Sequence, residues 1–203
     1  MKFLQVLIFC FVSVSALLSG TNIREIEDLA ATGETSAIAA LRDSADNGST
    51  RAMNFLGYLY WQGLGTRQLR DSALYFLCRA EAAGDLKAAA NLGHLMLVGD
   101  SCLPADTLKA LSLLQKAAEH GLPSALRELD DYFSTNSGDS ASAGSIKIVA
   151  DAYSHGRVLP YNYHRSIELY NRAALLGDTT AQRIISELLE IFPDILEDVP
   201  KMN

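Results

Sequence analysis

The acidic residues Glu128, Asp130 and Asp131 are the side chains of this sequence that come nearest to catalytic chemistry. Two carboxylates held close together can act as general acid and general base, and such a pair would suit a hydrolase of cell-wall glycan or peptide. On one helix, however, this spacing is typical of a solvated face. For nucleophilic catalysis, the chain has no Gly-x-Ser-x-Gly motif and no cysteine in a recognised arrangement with a histidine. We therefore expect no enzymatic activity.

Metal and cofactor chemistry is not indicated either. The four histidines lack the four-residue pairing and the nearby cysteines of zinc sites: they are His94, His120, His155 and His164. The segment Gly63-Leu64-Gly65 is similar to part of a phosphate-binding loop, but it precedes no strand-to-helix unit, and we interpret it as a turn. We predict no metal and no cofactor.

The charge of the chain argues against nucleic acid as a partner. The sequence has 203 residues, and its 17 lysines and arginines against 24 aspartates and glutamates give a formal net charge of −7. No cluster of lysine or arginine offers the positive surface that phosphate contacts require. The length suits one domain with a continuous core.

The N-terminus has the layout of a secretion signal. Lys2 is followed by an apolar run from Phe3 to Val12 and then by small residues. We predict a signal peptide over residues 1–20, cleaved after Ala16 or after Gly20, and therefore a periplasmic or secreted protein. The apolar run is short for a membrane-spanning helix, so we expect no membrane span after cleavage.

Two cysteines remain after that cleavage, Cys78 and Cys102. An exported protein folds where disulfides can form, so the two could pair. The repeat described below places Cys78 midway along a second helix and Cys102 in a turn at the opposite end of the next helix pair, which disfavours a bond. The sequence leaves both states open.

A repeat of about 36 residues organises most of the chain. Gly48, Gly84 and Gly121 close successive units at intervals of 36 and 37 residues. Gly57 and Gly93 fall inside predicted helices, where we expect them to allow close approach of a neighbouring helix. Apolar residues recur at three- and four-residue steps, which predicts two amphipathic helices per unit; in the first unit they are Ala52, Leu56, Leu59, Tyr60 and then Ala73, Phe76, Leu77, Ala80.

The third unit is interrupted. The polar run from Ser134 to Ser145 separates a first-half pattern at Ala125 and Leu129 from another at residues 149–156. This run has the composition of a flexible linker, and we predict a flexible loop over residues 134–145. Residues 122–156 are either an insertion in one repeat or a repeat that lost its second helix, and the sequence leaves both open.

The predicted repeat domain spans residues 21–198 and is followed by a C-terminal tail at residues 199–203. Residues 23–47 have the pattern of a degenerate opening helix pair, and residues 180–191 that of a lone first helix. Such atypical ends are expected, because one face of each terminal unit of a stack meets water.

The motif Leu56-Gly57-x-x-Tyr60-x-x-Gly63-x-Gly65, followed by Arg79-Ala80 and a closing Gly84, resembles the Sel-one-like repeat, a relative of the tetratricopeptide repeat. The sequence departs from that family where Leu69 replaces a loop aspartate and where Met96 replaces a tyrosine. The resemblance implies an all-α fold, a right-handed superhelical solenoid of antiparallel helix pairs. It also implies an adaptor or scaffold without catalytic residues.

The same resemblance implies where a protein or peptide partner would bind. In tetratricopeptide-like stacks the first helices line a concave groove, and their positions outside the core contact the ligand. Trp61 could anchor a partner side chain or simply cover the turn between two helices. Arg51 and Lys87 would suit an acidic or C-terminal peptide, or be ordinary solvated positions. The predicted partner-binding positions are Arg51, Asn54, Tyr58, Trp61, Lys87, His94, Lys147 and Asp151.

We therefore expect an exported adaptor or scaffold that binds a protein partner in its concave groove. One alternative is a periplasmic inhibitor or immunity protein that blocks one target enzyme, and a second is the cell-wall hydrolase. A third is an adaptor of the eukaryotic secretory pathway, because Asn47-Gly48-Ser49 forms a glycosylation sequon.

Overall fold

The computed structural model describes residues 23–136 and 142–196. Over these residues the secondary structure consists of ten α-helices without strands, which confirms the all-α class. The predicted signal peptide and the C-terminal tail lie outside the described residues. The helices are α1 Ile23–Ala31, α2 Thr35–Asp46, α3 Thr50–Gln62, α4 Arg70–Ala82, α5 Leu86–Val98, α6 Thr107–Glu119, α7 Pro123–Thr135, α8 Ala143–His155, α9 Tyr163–Leu175 and α10 Thr179–Ile191.

The described residues fall into two compact units: unit 1 extends to Asn91, and unit 2 begins at Leu92. The boundary falls inside α5. The domain limits of 21 and 198 stay predictions, because both residues lie outside the described part of the chain.

The first unit contains two helix pairs. Helices α1 and α2 form the opening pair predicted for residues 23–47, and α3 packs on both α2 and α4. The hydroxyl of the buried Tyr60 on α3 accepts a hydrogen bond of 2.7 Å from Nε of Arg42 on α2. The buried apolar side chains of this unit include Ala37, Leu41, Leu56, Leu59, Tyr60 and Leu77.

The second unit contains a first helix without a second helix of its own. Helix α7 has the pattern of a first helix, and the next helix, α8, is again a first helix that pairs with α9. Helix α8 also packs on α6 and α7. The structure therefore favours a repeat that lost its second helix over an insertion. Helix α10 forms where a first helix was predicted, and no second helix follows it within the described residues, which end at 196. The core includes Leu114, Leu129, Phe133, Ile146, Ile167 and Leu169.

The flexible loop predicted over residues 134–145 is too wide at both ends. Helix α7 continues to Thr135, and α8 begins at Ala143. Ser142 and Ser145 are buried, and the hydroxyl of Ser145 donates a hydrogen bond of 2.9 Å to Oε1 of Gln115 on α6. A serine-rich composition therefore did not prevent helix formation, and the buried hydroxyl of Ser145 has the hydrogen-bond partner that burial requires. Residues 137–141 of the predicted loop lie outside the described residues.

In two helix pairs, a glycine allows the two helices of the pair to approach each other closely, as the sequence predicts. A Cβ atom added to Gly57 on α3 would lie 2.5 Å from Cγ of Leu77 on α4. A Cβ atom added to Gly93 on α5 would lie 2.7 Å from Cγ of Leu114 on α6. No side chain fits at either distance without displacing the opposing leucine, so glycine sets the separation within both pairs.

Second helices of the repeat begin with the same backbone turn but with different caps. The N–H of the residue before α4, α6 and α9 bonds to the carbonyl oxygen of Tyr60, Met96 and Tyr153, respectively. Asp106 caps α6 and Asn162 caps α9, each through a side-chain oxygen that accepts an N–H three residues later at 3.0 Å. Leu69 precedes α4 with nearly the same φ of −133° and has no cap hydrogen bond. The missing loop aspartate therefore leaves α4 uncapped.

None of the described helices combines the length and the apolar character that crossing a membrane would require.

Candidate functional site

Arg51, the first of the predicted partner-binding residues, already pairs with a carboxylate of a neighbouring helix. Its Nε and Nη2 atoms donate to the two carboxylate oxygens of Glu27 on α1, at 2.7 and 2.6 Å. These hydrogen bonds raise the pKa of Arg51 above its ordinary value. The charge that would face an acidic ligand is thus already balanced within unit 1, and Arg51 joins α1 to α3.

Asn54 also bonds to another first helix. The side-chain amide of Asn91 on α5 donates to Oδ1 of Asn54 on α3 over 2.9 Å, and both residues are half-buried. Lys87 lies one helical turn before Asn91 and is exposed. The first-helix face of unit 1 consists of α1, α3 and the part of α5 up to Asn91. It therefore carries Arg51 with a compensated charge, the Asn54–Asn91 amide pair and the exposed Lys87.

The two aromatic residues predicted on α3 differ in exposure. Tyr58 is 43 % exposed, and its ring centroid lies 6.3 Å from that of Phe55. Trp61 is only partly exposed, because the guanidinium of Arg70 covers its ring at 4.2 Å from the centroid. Of the two interpretations of Trp61, the structure favours the cover of the turn between α3 and α4, and Tyr58 offers more accessible aromatic surface.

In unit 2, His94 connects two first helices. Its Nδ1 atom donates to Oε1 of Glu128, so that α5 and α7 are joined over 2.8 Å. The His94 side chain is 52 % exposed, which leaves the pair accessible to solvent and to salt.

Lys147 and Asp151 bond to each other rather than projecting freely. Nζ of Lys147 lies 2.7 Å from Oδ2 of Asp151, and the hydroxyl of Tyr170 on α9 donates to Oδ1 of Asp151 over 2.6 Å. Burial is the first cause that raises the pKa of Tyr170, followed by the hydrogen bond to Asp151. Asp151 therefore joins α8 to α9, which is a structural role.

A half-buried ionic network in unit 2 was not predicted from the sequence. Arg165 on α9 donates to Oδ1 of Asp130 on α7 over 2.7 Å and to Oε1 of Glu168 over 2.8 Å. The hydroxyl of Tyr153 on α8 donates to Oδ2 of Asp130 over 2.6 Å. Burial, and then the hydrogen bond to Asp130, raises the pKa of Tyr153 to about 12. Three helices are joined at one carboxylate.

A signal for this network was present in the register of the repeats. Asp130 occupies the position that Gly57 and Gly93 hold in α3 and α5, where a second helix packs closely. A carboxylate at that position is incompatible with such packing. It therefore indicates that α7 has no second helix of its own. The carboxylate of Asp130 needs a cation at that position instead, and Arg165 provides it.

Arg172 holds the C-terminal end of α7. Its guanidinium donates to the backbone oxygens of Phe133, over 2.6 Å, and of Asn136. Burial, and then the neighbouring charge of Arg165, lowers the pKa of Arg172 below its ordinary value. These bonds satisfy helix-end carbonyl groups that have no partner within the helix.

The acidic cluster does not form a free pair of carboxylates. Glu128 bonds to His94, whereas Asp130 bonds to Arg165 and Tyr153, so the two acids belong to different networks. Two open cavities of about 600 and 400 Å³ lie in unit 2, and neither is lined by these acids. Among the described residues, no group of three or more His, Cys, Asp or Glu side chains could hold a metal ion.

Of the two states that the sequence left open for Cys78 and Cys102, the structure has the unpaired one. Both residues are free and exposed thiols, one on α4 of unit 1 and the other in the turn before α6 of unit 2. Each sulfur therefore faces solvent rather than a second sulfur.

A family model for the Sel1 repeat matches residues 50–85, 86–122 and 148–178, half of the chain. Two solved structures are similar. A Sel1 repeat protein from Oxalobacter formigenes is 22 % identical, with a TM-score of 0.47, over 75 % of this chain and 49 % of the other. The protein c5321, described as a protective antigen of uropathogenic Escherichia coli strains with an SLR fold, is 25 % identical, with a TM-score of 0.48, over 76 % of this chain and 36 % of the other. The chain thus spans half or less of the length of these proteins. No curated protein matches the sequence.

Proposed function

The chain belongs to the Sel1 repeat family, whose helical scaffolds are typical of protein–protein interaction, and on that premise we propose that it is an exported, non-catalytic adaptor that binds a protein partner on the first-helix face of unit 1. This face consists of α1, α3 and the part of α5 up to Asn91.

The exposed ring of Tyr58 is the observation that carries this proposal. Large aromatic side chains at interfaces contribute much of the binding energy, because they bury apolar area with few rotatable bonds. Tyr58 is 43 % exposed and lies beside Phe55, on a helix whose polar neighbour Arg51 is fixed by Glu27. The aromatic surface is therefore presented on a rigid support.

The absence of a free carboxylate pair among Glu128 and Asp130 supports a non-catalytic role over a hydrolase, because Glu128 already bonds to His94 and Asp130 to Arg165. An acid that is held by a histidine or an arginine is a poor proton donor to a glycosidic or peptide oxygen.

Export is proposed from the apolar N-terminal run and the small residues after it. Intact mass spectrometry of the protein recovered outside the cytoplasm tests it. A chain that begins at Leu17 or Thr21 would support export with cleavage, whereas a chain that retains Lys2 would contradict it.

Photocrosslinking tests the binding face. A benzophenone amino acid is placed at Tyr58 in one variant and at Tyr75 in another, because Tyr75 is 57 % exposed on α4, a second helix of the same unit. We expect one protein partner to be captured from position 58 and not from position 75. Equal capture from both positions, or capture from position 75 alone, would refute the proposed face.

A further inference from the structure

An open cavity of about 400 Å³ lies in unit 2 at the place where the repeat lacks a second helix. Helix α8 packs on both α6 and α7, but less extensively than on α9. The cavity is lined by residues of these three helices, among them Ala118 of α6, Leu126 of α7 and Ile148 of α8. Its volume lies in the range of pockets that bind small molecules, roughly 300–1,000 Å³.

Much of the wall of this cavity is apolar. Ala118 and Leu126 are buried, and Ile148 is half-buried. Val158, from the segment between α8 and α9, adds an apolar side chain that is 38 % exposed. A Cβ atom added to Gly121 would lie 3.9 Å from Cγ2 of Val158, so Val158 lies beside the turn that follows α6. An apolar group of a ligand would be stabilised here by leaving water.

Two opposite charges on the wall of the cavity have no charged partner. The carboxylate of Glu119 accepts a hydrogen bond of 3.0 Å from the side-chain amide of Gln115, which is neutral. Arg157 is exposed, and its guanidinium has neither a hydrogen bond nor an ion pair within the described part of the chain. The third charge, that of Asp151, is already compensated by Lys147. The cavity therefore offers one anion and one cation to the same ligand.

His155 adds a hydrogen-bond acceptor beside these charges. Its Nδ1 atom donates to the backbone oxygen of Asp151 over 2.7 Å. In the neutral ring the other nitrogen, Nε2, is then an acceptor. An ammonium group has three donors, which Glu119 and Nε2 of His155 can accept, and a carboxylate matches the planar guanidinium of Arg157.

We propose that this cavity is a binding site for a free α-amino acid with an apolar side chain. The carboxylate of the ligand pairs with Arg157, and its ammonium group bonds to Glu119 and His155. Its side chain lies against the apolar wall at Ile148 and Val158. A ligand with a single charge would leave either Arg157 or Glu119 without a partner. The site consists of residues of unit 2 alone and goes beyond the partner binding proposed for unit 1.

The test is isothermal titration calorimetry of the full chain with two probes, L-leucine and L-phenylalanine. Three further compounds each lack one part of leucine. They are 4-methylpentanoate, which lacks the ammonium group, 3-methylbutylamine, which lacks the carboxylate, and glycine, which lacks the apolar side chain.

Four variants identify the residues that hold the ligand. Arg157→Gln and Glu119→Gln each remove one charge from the cavity, and the new amide at 119 keeps an oxygen that can accept from Gln115. Arg127→Gln and Glu190→Gln make the same chemical changes at exposed positions of unit 2 outside the cavity. All four positions are exposed, so the melting curves of the five proteins should coincide.

We expect at least one of the two probes to bind the parent, and the three reduced compounds to bind at least about tenfold more weakly than leucine. Arg157→Gln and Glu119→Gln should each weaken the probe at least about tenfold, because each removes charge-assisted hydrogen bonds. Arg127→Gln and Glu190→Gln should change the dissociation constant less than twofold. In Arg157→Gln the preference for leucine over 3-methylbutylamine should largely disappear, because the group that recognises the carboxylate is gone.

The inference is overturned if neither probe binds the parent, or if 4-methylpentanoate binds as tightly as leucine. It is also overturned if Arg127→Gln weakens the probe as much as Arg157→Gln does, because the effect would then come from net charge alone. A preference for leucine over 3-methylbutylamine that persists in Arg157→Gln would place the carboxylate elsewhere and would contradict the proposed site. None of these results would alter crosslinking from position 58, so the proposed function stands or fails separately.

Discussion

Replacing Leu69 by aspartate is expected to supply the helix cap that the first complete repeat lacks. The backbone at Leu69 has φ −133° and ψ 84°, nearly the values of −136° and 86° at Asp106, which caps α6. Because the conformation is already present, the new carboxylate should reach the N–H three residues later, that of Ser72, as Asp106 reaches that of Lys109.

Two contributions of similar size determine the result. A side-chain cap stabilises a helix by about 1 kcal/mol, in a range of roughly 0.5 to 2 kcal/mol. Leu69 is half-buried, so its loss costs about 1 kcal/mol of apolar burial. Leu69→Asp should therefore be close to the parent in stability, and Leu69→Ala, which loses the burial without gaining the cap, should be about 1 kcal/mol less stable than Leu69→Asp.

Urea unfolding measures this difference. Trp61 is the single tryptophan of the sequence and lies in unit 1, so its fluorescence follows the unit that contains Leu69. Far-ultraviolet circular dichroism follows all helices, and coincident transitions would justify a two-state treatment. The reverse change, Asp106→Ala, removes an existing cap and should cost about 1 kcal/mol.

The reasoning is wrong if Leu69→Asp is no more stable than Leu69→Ala while Asp106→Ala is destabilised as expected. That result would mean that the turn before α4 does not bring the carboxylate to the helix end, despite its backbone angles. A crystal structure or an amide chemical shift of Ser72 in the variant would show which bond failed.

Three further perturbations follow from the packing. In urea unfolding, Gly65→Ala should destabilise unit 1 clearly more than Gly48→Ala. Both changes share a positive-φ strain of about 1–2 kcal/mol. An added Cβ at Gly65 would in addition lie 2.0 Å from a backbone oxygen, whereas one at Gly48 would have nothing within 4 Å. Gly57→Ala should cost about 1–3 kcal/mol by overpacking, and in a Leu77→Ala background this cost should largely disappear, which a double-mutant cycle measures. Tyr153→Phe should reduce the loss of stability above pH 10, which urea unfolding monitored by circular dichroism measures. The pKa of Tyr153 is raised to about 12, so the folded state holds a proton that the unfolded state releases near pH 10. The stability of the parent therefore falls as the pH rises between these values.

Each of these predictions has a result that contradicts it. Equal destabilisation by Gly65→Ala and Gly48→Ala would show that the contact at Gly65 relaxes without cost. Additive effects in the cycle would show that Gly57 and Leu77 do not set the separation of α3 and α4. Identical alkaline slopes for the parent and Tyr153→Phe would place the alkaline instability on other groups.

Much of the fold could be read from the sequence because its signals are local. Helical periodicity involves residues three and four apart, and the glycines at 48, 84 and 121 end helices with a positive φ that their own chain segment requires. The close packing at Gly57 was also predictable, because the same glycine recurs 36 residues later at Gly93.

The extent of the predicted loop was wrong for the opposite reason. A serine-rich composition describes average preference, whereas Ser145 lies in a helix with its hydroxyl bonded to Gln115, which is 30 residues away in the chain. Composition alone cannot predict that partner.

The repeat, the helices and the residues of the first-helix face could be predicted from the amino-acid pattern, because each depends on neighbours within a few residues. Which of those residues remain available to a partner depends on contacts in the folded chain. Arg51 is taken by Glu27, 24 residues away, and Asp130 by Arg165, 35 residues away, while the ring of Tyr58 stays exposed. Charge pairing depends on the distance between side chains in the folded chain, and a pattern along the sequence does not contain that distance.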